Sequence, residues 1–290
     1  MLRNGSVNVS GVKRVILRWL LVAIATWAGL CVLLFAARNR LLFPVRGGGT
    51  GAPASAGMPD GRRITIATDD DEQLAAWYLP PRDSTGRSGA VLWLHGNGET
   101  VDGLGPVLRG FRPPRAAMLA VDYRGYGGSS GSPTAAGVLR DAEAVFDWLA
   151  ARPEVDAARI VVYGRSIGAA PAAHVASVRP AAGLILESAF TSLRAMVRRQ
   201  FPWAPAALAP AAFDNLAALG RVTTPILLIH GDRDEVVPPA MGRALAARAG
   251  ARAELWIIAG AGHNETYDAG GEEYVRRFHD FVARHAEESR

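Results

Sequence analysis

The stretch Arg159-Ile-Val-Val-Tyr-Gly164-Arg165-Ser166-Ile167-Gly168 constrains this chain more than any other. A short β-branched run leads into Gly-x-Ser-x-Gly, and an Ala-rich segment, Ala169 to Val178, leads away from it. The pattern reads as strand, sharp turn, helix. Glycines on both sides of Ser166 suit a turn too crowded for a Cβ. Such a turn lifts the hydroxyl over the end of a sheet, where the next helix offers free backbone N–H groups to developing negative charge. The motif alone is weak in a chain with 32 glycines. Its place after a buried-looking strand gives it weight.

The rest of the chain alternates strands with helices. Arg63 to Ala67 and Leu74 to Leu79 read as a β-hairpin, with Asp69-Asp70-Asp71 as a solvated turn rather than a cation site. Ala90 to Leu94 is continuously apolar, as a strand covered on both faces must be. Ala116–Val121, Gly183–Leu186, Ile226–Ile229 and Ala253–Ile258 follow as strands. Helical periodicity marks Thr134–Ala151, Pro239–Ala249 and Glu272–His285. This rhythm predicts an α/β fold with a mostly parallel, doubly wound sheet and ligands at the carboxyl ends of its strands. Residues 189–219 break the rhythm and include the charge-free run Phe201 to Phe213. They are expected to form a small helical cap packed on the body, with a mobile lid over an acyl pocket as the alternative.

The N-terminal end has a different character. Trp19 to Ala37 is 19 residues without a charge, which as a helix spans about 28 Å, near the thickness of a bilayer's hydrocarbon. The run is long for a signal peptide, and Arg38-Asn39-Arg40 makes a poor cleavage site. A transmembrane helix over about 19–37, in an anchor of residues 1–40, is therefore expected. The Gly/Pro/Ala/Ser-rich stretch after it makes 41–62 a linker or a loop packed on the domain, and 63–290 the catalytic domain. Four basic residues precede the span and three follow it, a slight bias toward a catalytic domain outside the cytoplasm. Residues 1–46 hold seven of the 32 basic groups and none of the 27 acidic ones. The body is therefore slightly acidic, and nucleic acid is not an expected partner. Cys31, the single cysteine, lies in the apolar run and allows neither a disulfide framework nor a thiolate metal site within one chain.

A serine hydroxyl needs a base to become a nucleophile. Of six histidines, His174 falls in the helix after Ser166, His279 and His285 read as surface groups of the closing helix, and His95 and His230 suit structural roles at strand ends. His263, in a flexible loop after the last strand, is the expected base. Asp234, past the penultimate strand, is the expected partner that orients the imidazole, with Asp232 a close rival and Glu187 a distant one. The backbone N–H groups of Ile167 and Asn97 are expected to form the oxyanion hole. Gly125 to Gly131 lacks the spacing of a dinucleotide loop, and neither cofactor nor metal is expected.

The motifs His95-Gly-Asn-Gly98, Asp122-Tyr-Arg-Gly-Tyr-Gly-Gly-Ser129, Gly164-Arg-Ser-Ile-Gly168, His230-Gly-Asp-Arg-Asp234-x-Val-Val-Pro238 and Gly262-His263 together resemble the α/β-hydrolase superfamily. They are most similar to its single-pass, membrane-anchored bud-emergence-type branch, grouped with serine aminopeptidase-like and lysophospholipase-like hydrolases. The similarity runs from about Leu41 to the C-terminus. It implies a Ser166–Asp234–His263 serine hydrolase, acting without a cofactor on a small-molecule ester or acyl substrate. A peptidase or amidase acting on small peptides, and a non-catalytic membrane-tethered scaffold, stand as alternatives; the intact triad argues against the scaffold.

Overall fold

The computed structural model describes residues 9–44, 48–83 and 86–287, so residues 1–8 of the expected anchor and 45–47 of the expected linker lie outside it. Helix α1 (Val9–Leu42) comes first. Strands β1 (Arg62–Ala67) and β2 (Gln73–Leu79) form the hairpin. Then come β3 (Ser88–Leu94), α2 (Gly105–Phe111), β4 (Ala117–Val121), α3 (Ala135–Ala150) and β5 (Val155–Arg165). A single 3-10 turn, Ser166–Gly168, opens into α4 (Ala169–Val178), followed by β6 (Gly183–Glu187). The cap carries α5 (Leu193–Gln200) and α6 (Asn215–Leu219). The chain closes with β7 (Ile226–Gly231), α7 (Pro239–Ala249), β8 (Ala253–Ile258) and α8 (Thr266–Ala286).

Among the described residues the sheet has eight strands in the order β1-β2-β4-β3-β5-β6-β7-β8. β2 runs antiparallel to β1 and β4; from β4 to β8 every pair is parallel. This is the α/β-hydrolase fold with its mostly parallel sheet. Successive side chains of a strand point to opposite faces, and β3 divides accordingly. Ala90, Leu92 and Leu94 join a core with α3, α4 and α7, whereas Val91 and Trp93 join Leu108 of α2 and Phe278 of α8 in the other. Trp93 and Tyr163 stack with ring centroids 3.8 Å apart, locking β3 to β5 on that second face. α3 begins where expected because Thr134 Oγ1 accepts from the Gly137 N–H.

Several details differ from the sequence expectation. α2 has no strong periodic signal and contains Gly105 and Gly110, yet it buries Leu108 and Phe111. A Cβ on Gly105 would lie 2.6 Å from Ala56 Cβ, so close packing takes precedence over helix propensity there. α8 begins at Thr266 rather than Glu272, with a break at Gly271 (φ 52°) that hides its first turn from a periodicity argument. His279 and His285 are half-buried rather than surface groups, and burial lowers the pKa of both imidazoles. Asp70 is a structural carboxylate more than a solvated one: it accepts from Arg124 Nη1 at 2.8 Å and from Arg140 Nη1 at 2.9 Å. The described residues of 41–62 pack on the body, with Phe43, Thr50, Pro53 and Met58 buried and Gly51 O accepting from Trp77 Nε1 at 2.8 Å.

The N-terminal part of α1 stands apart from both cores, while Leu42 at its end packs against the first. Among the described residues it is the one helix long and apolar enough to cross a membrane, over Lys13–Leu42. Val15, Ile16, Leu17, Trp19, Leu20 and Leu21 are exposed along it.

Candidate active site

Ser166 follows β5 directly, and its φ of 51° puts it in the left-handed region that non-glycine residues rarely adopt. The flanking glycines are required by contact. A Cβ on Gly164 would sit 2.3 Å from Gly168 O, and one on Gly168 would sit 2.3 Å from Leu94 O. The turn is therefore pressed against the end of β3, and the serine side chain is left half-exposed above the sheet.

Asp234 and His263 occupy the loops after β7 and β8, at the same carboxyl edge of the sheet. Ser166 Oγ lies 2.9 Å from His263 Nε2, and His263 Nδ1 lies 2.8 Å from Asp234 Oδ2. The three residues expected from the sequence thus meet in one hydrogen-bonded line. The Asp234 carboxylate is fully buried. Burial alone would raise its pKa, but His230 3.4 Å away, the His263 hydrogen bond and the Val237 N–H at 2.7 Å outweigh it and hold the group well below the usual carboxylate range. His230 is itself fixed by Val237 O at 2.8 Å, the structural role expected for it. Asp232, the close rival, is exposed and accepts from the Gly260 N–H at 2.6 Å, which ties the β7 loop to the turn after β8. His95 is buried, with Nδ1 2.8 Å from Gly96 O, and His174 pairs with Glu143 at 2.7 Å.

Ile167 is the second residue of the turn that opens α4, so its N–H is among those a helix start leaves unsatisfied. Asn97 and Ile167 both line the cleft that holds Ser166. The Asn97 side chain is occupied elsewhere: Oδ1 accepts from Tyr126 Oη at 2.8 Å, and Nδ2 donates to Leu42 O at 2.9 Å. It ties the turn after β3 to Tyr126 and to the end of α1.

Sequence reasoning missed Arg165. This buried guanidinium donates through Nη2 to His263 O at 3.1 Å and to Asn264 Oδ1 at 3.0 Å. Its Nε donates to Glu187 Oε1 at 3.1 Å, and Nη1 pairs with Glu99 Oε1. Glu99 Oε2 in turn accepts from the Gly96 N–H at 2.6 Å. One side chain therefore joins the serine turn, the histidine loop and the turn after β3. Glu187, the distant rival for the acid, lies beneath this network and accepts from Tyr274 Oη at 2.7 Å as well as from Tyr163 and Thr266. Burial, then the Glu187 charge, pushes the Tyr163 and Tyr274 hydroxyls well up, so both stay neutral donors. The available signal was chemical: a charge at the end of a buried strand demands a buried partner.

The cleft has a volume of about 680 Å³, ample for a small-molecule ligand. Phe190, Leu193, Met196 and Phe201 from the cap line one part of it, and the last turns of α1 another. Among the described residues no group of three or more His, Cys, Asp or Glu is arranged to hold a metal ion.

Comparison with known proteins places these features among relatives. A family model described as "Serine aminopeptidase, S33" matches residues 86–217 and 211–269. An uncharacterized protein of Mycobacterium tuberculosis is 34% identical over 242 residues, covering 82% of this chain and 84% of its own. Alpha/beta hydrolase domain-containing protein 17B of Homo sapiens is 32% identical over 217 residues, covering 74% and 73%. Among solved structures, the Pyrococcus furiosus esterase Pf2001 superposes with a TM-score of 0.69 over 84% of this chain and 97% of that one, at 24% identity.

Proposed function

The chain belongs to the serine aminopeptidase S33 family of α/β hydrolases, and on that basis we propose that it is a serine hydrolase cleaving carboxylic esters or thioesters through an acyl-enzyme. The observation that carries this reading is the hydrogen-bonded line from Ser166 through His263 to Asp234. Ser166 Oγ attacks the substrate carbonyl carbon while His263 Nε2 takes the hydroxyl proton. The oxyanion that forms accepts from the Ile167 and Asn97 N–H groups. The C–O or C–S bond then breaks, and the leaving group takes the proton from His263. Water, activated by the same imidazole, attacks the acyl-enzyme and releases the acid and Ser166. Asp234 stays ionised throughout and stabilises the imidazolium.

The apolar cleft beside Ser166 favours an acyl chain over a charged peptide. The family's description as an aminopeptidase supports a second reading, cleavage of small peptides or amides, which parallel panels of acyl esters and aminoacyl amides distinguish. Residues 1–40 act as a single-pass anchor with its span at about 19–37, joined through 41–62 to a catalytic domain, 63–290, outside the cytoplasm. The cap, 189–219, borders the substrate cleft.

Ser166→Ala is expected to lower kcat by roughly six orders of magnitude. A fluorophosphonate probe is expected to label the wild type and leave this variant unlabelled; equal labelling of both would remove Ser166 from the reading.

A further inference from the structure

The cleft that holds Ser166 is completed by the end of α1. From Trp27 onward, one stripe of that helix, at helical spacing, engages the body. Trp27 Nε1 donates to Trp203 O in the cap at 3.0 Å, and Cys31 is buried. Leu34, Arg38 and Leu41 line the cleft, and Leu42 O accepts from Asn97 in the expected oxyanion turn. The helix expected to cross the membrane and the wall of the site are thus one continuous element.

The length of α1 then fixes where the cap lies. A hydrocarbon layer of about 30 Å takes about 20 residues of helix. Laid on α1 from Lys13, the first described charge, that layer ends near residue 33, beyond Trp27. Laid between Arg18 and Arg38, it contains Trp27, Cys31 and Leu34. The cap segment bonded to Trp27 lies about 9 Å inside the layer's boundary in the first placement, the depth of an interfacial segment, and nearer its middle in the second. The composition of the cap agrees. Residues 201–213 carry no charge, and Pro202, Trp203, Pro205 and Ala207 are exposed. Just before them α5 presents exposed Arg194, Arg198 and Arg199. Basic groups beside an exposed tryptophan and an apolar run are the composition of a segment lying in a membrane interface.

We infer that the cap is embedded in the leaflet beside α1 and that the substrate is a long-chain acyl ester of a bilayer lipid. Its chain enters along Leu34 and Leu41, between α1 and the cap, and its carbonyl stops at Ser166. This deepens the serine-hydrolase reading, resting on Ser166 as nucleophile and on α1 as a membrane span.

The test uses the full chain in phosphatidylcholine vesicles. Brominated acyl chains are expected to quench the part of the tryptophan emission that Trp203→Phe removes. Trp203→Glu is expected to lower kcat/KM for a long-chain ester dissolved in the vesicles at least tenfold. Its turnover of water-soluble p-nitrophenyl butyrate, and its fluorophosphonate labelling, should stay within twofold of wild type. Pro205→Glu repeats the test at a second exposed cap position. Trp203 emission indifferent to brominated lipid, or vesicle hydrolysis unchanged in both glutamate variants, overturns the inference. Quenching reads cap depth without chemistry, so a chain that is quenched but unlabelled at Ser166 faults the hydrolase reading instead.

Discussion

Arg165 shows how much of a site a single buried charge can organise. Its neighbour Ser166 is held at a positive φ, and the guanidinium grips His263 O and Asn264 while pairing with Glu187 and Glu99. Removing one partner of a buried ion pair leaves the other charge unsolvated, typically at a cost of about 3–5 kcal/mol. Arg165→Met is expected to lose stability on that scale, measured by urea unfolding, and to label more slowly with fluorophosphonate as the histidine loop loosens. A variant as stable as wild type would show that the network is dispensable. Ser166, Asp234 and His263 were legible in the sequence because each follows a recognisable strand, and parallel strands bring such positions to one edge. Arg165 was legible only as the variable residue of Gly-x-Ser-x-Gly. Its partners Glu99, Glu187 and His263 are distant in sequence, and no local pattern pairs them.

Among the elements, the strands were the easiest to read and the short helices the hardest. Apolar runs and alternation betray strands, whereas α2 exists through packing against Ala56 and Trp77 that no local pattern encodes. The turn between β1 and β2 is a related case. Arg124 bridges Asp70 and the buried Asp141, tying that hairpin to α3 and the loop after β4. The Arg124 hydrogen bond, then that of Thr68, holds the Asp70 carboxyl well below the usual range. A carboxyl whose folded pKa lies below its unfolded value of about 3.9 stabilises the fold fully above that value, and this contribution fades as pH falls through the folded pKa. The melting temperature of Asp70→Asn is therefore expected to fall short of wild type at pH 7, with the gap closing below about pH 4. A gap that persists or widens in acid would contradict this assignment.

For the whole molecule, an apolar helix and an α/β body are legible in the residue pattern, but their union is not. Periodicity marks which residues of α1 are apolar, yet the contacts of Trp27, Cys31 and Leu42 depend on the cap and on Asn97. With α1 as a span, the full chain is expected to remain with membranes after an alkaline carbonate wash, and a chain beginning at residue 41 to be released. Release of the full chain would return α1 to the status of a soluble protein's helix.

The strand order makes one part of the site separable from the rest. Among the described residues β8 lies at the margin of the sheet, pairs with β7 alone, and leads into the loop that carries His263. On the serine-hydrolase reading, separation of that one strand from β7 would leave the serine turn intact on β5 yet carry off the group that takes its proton.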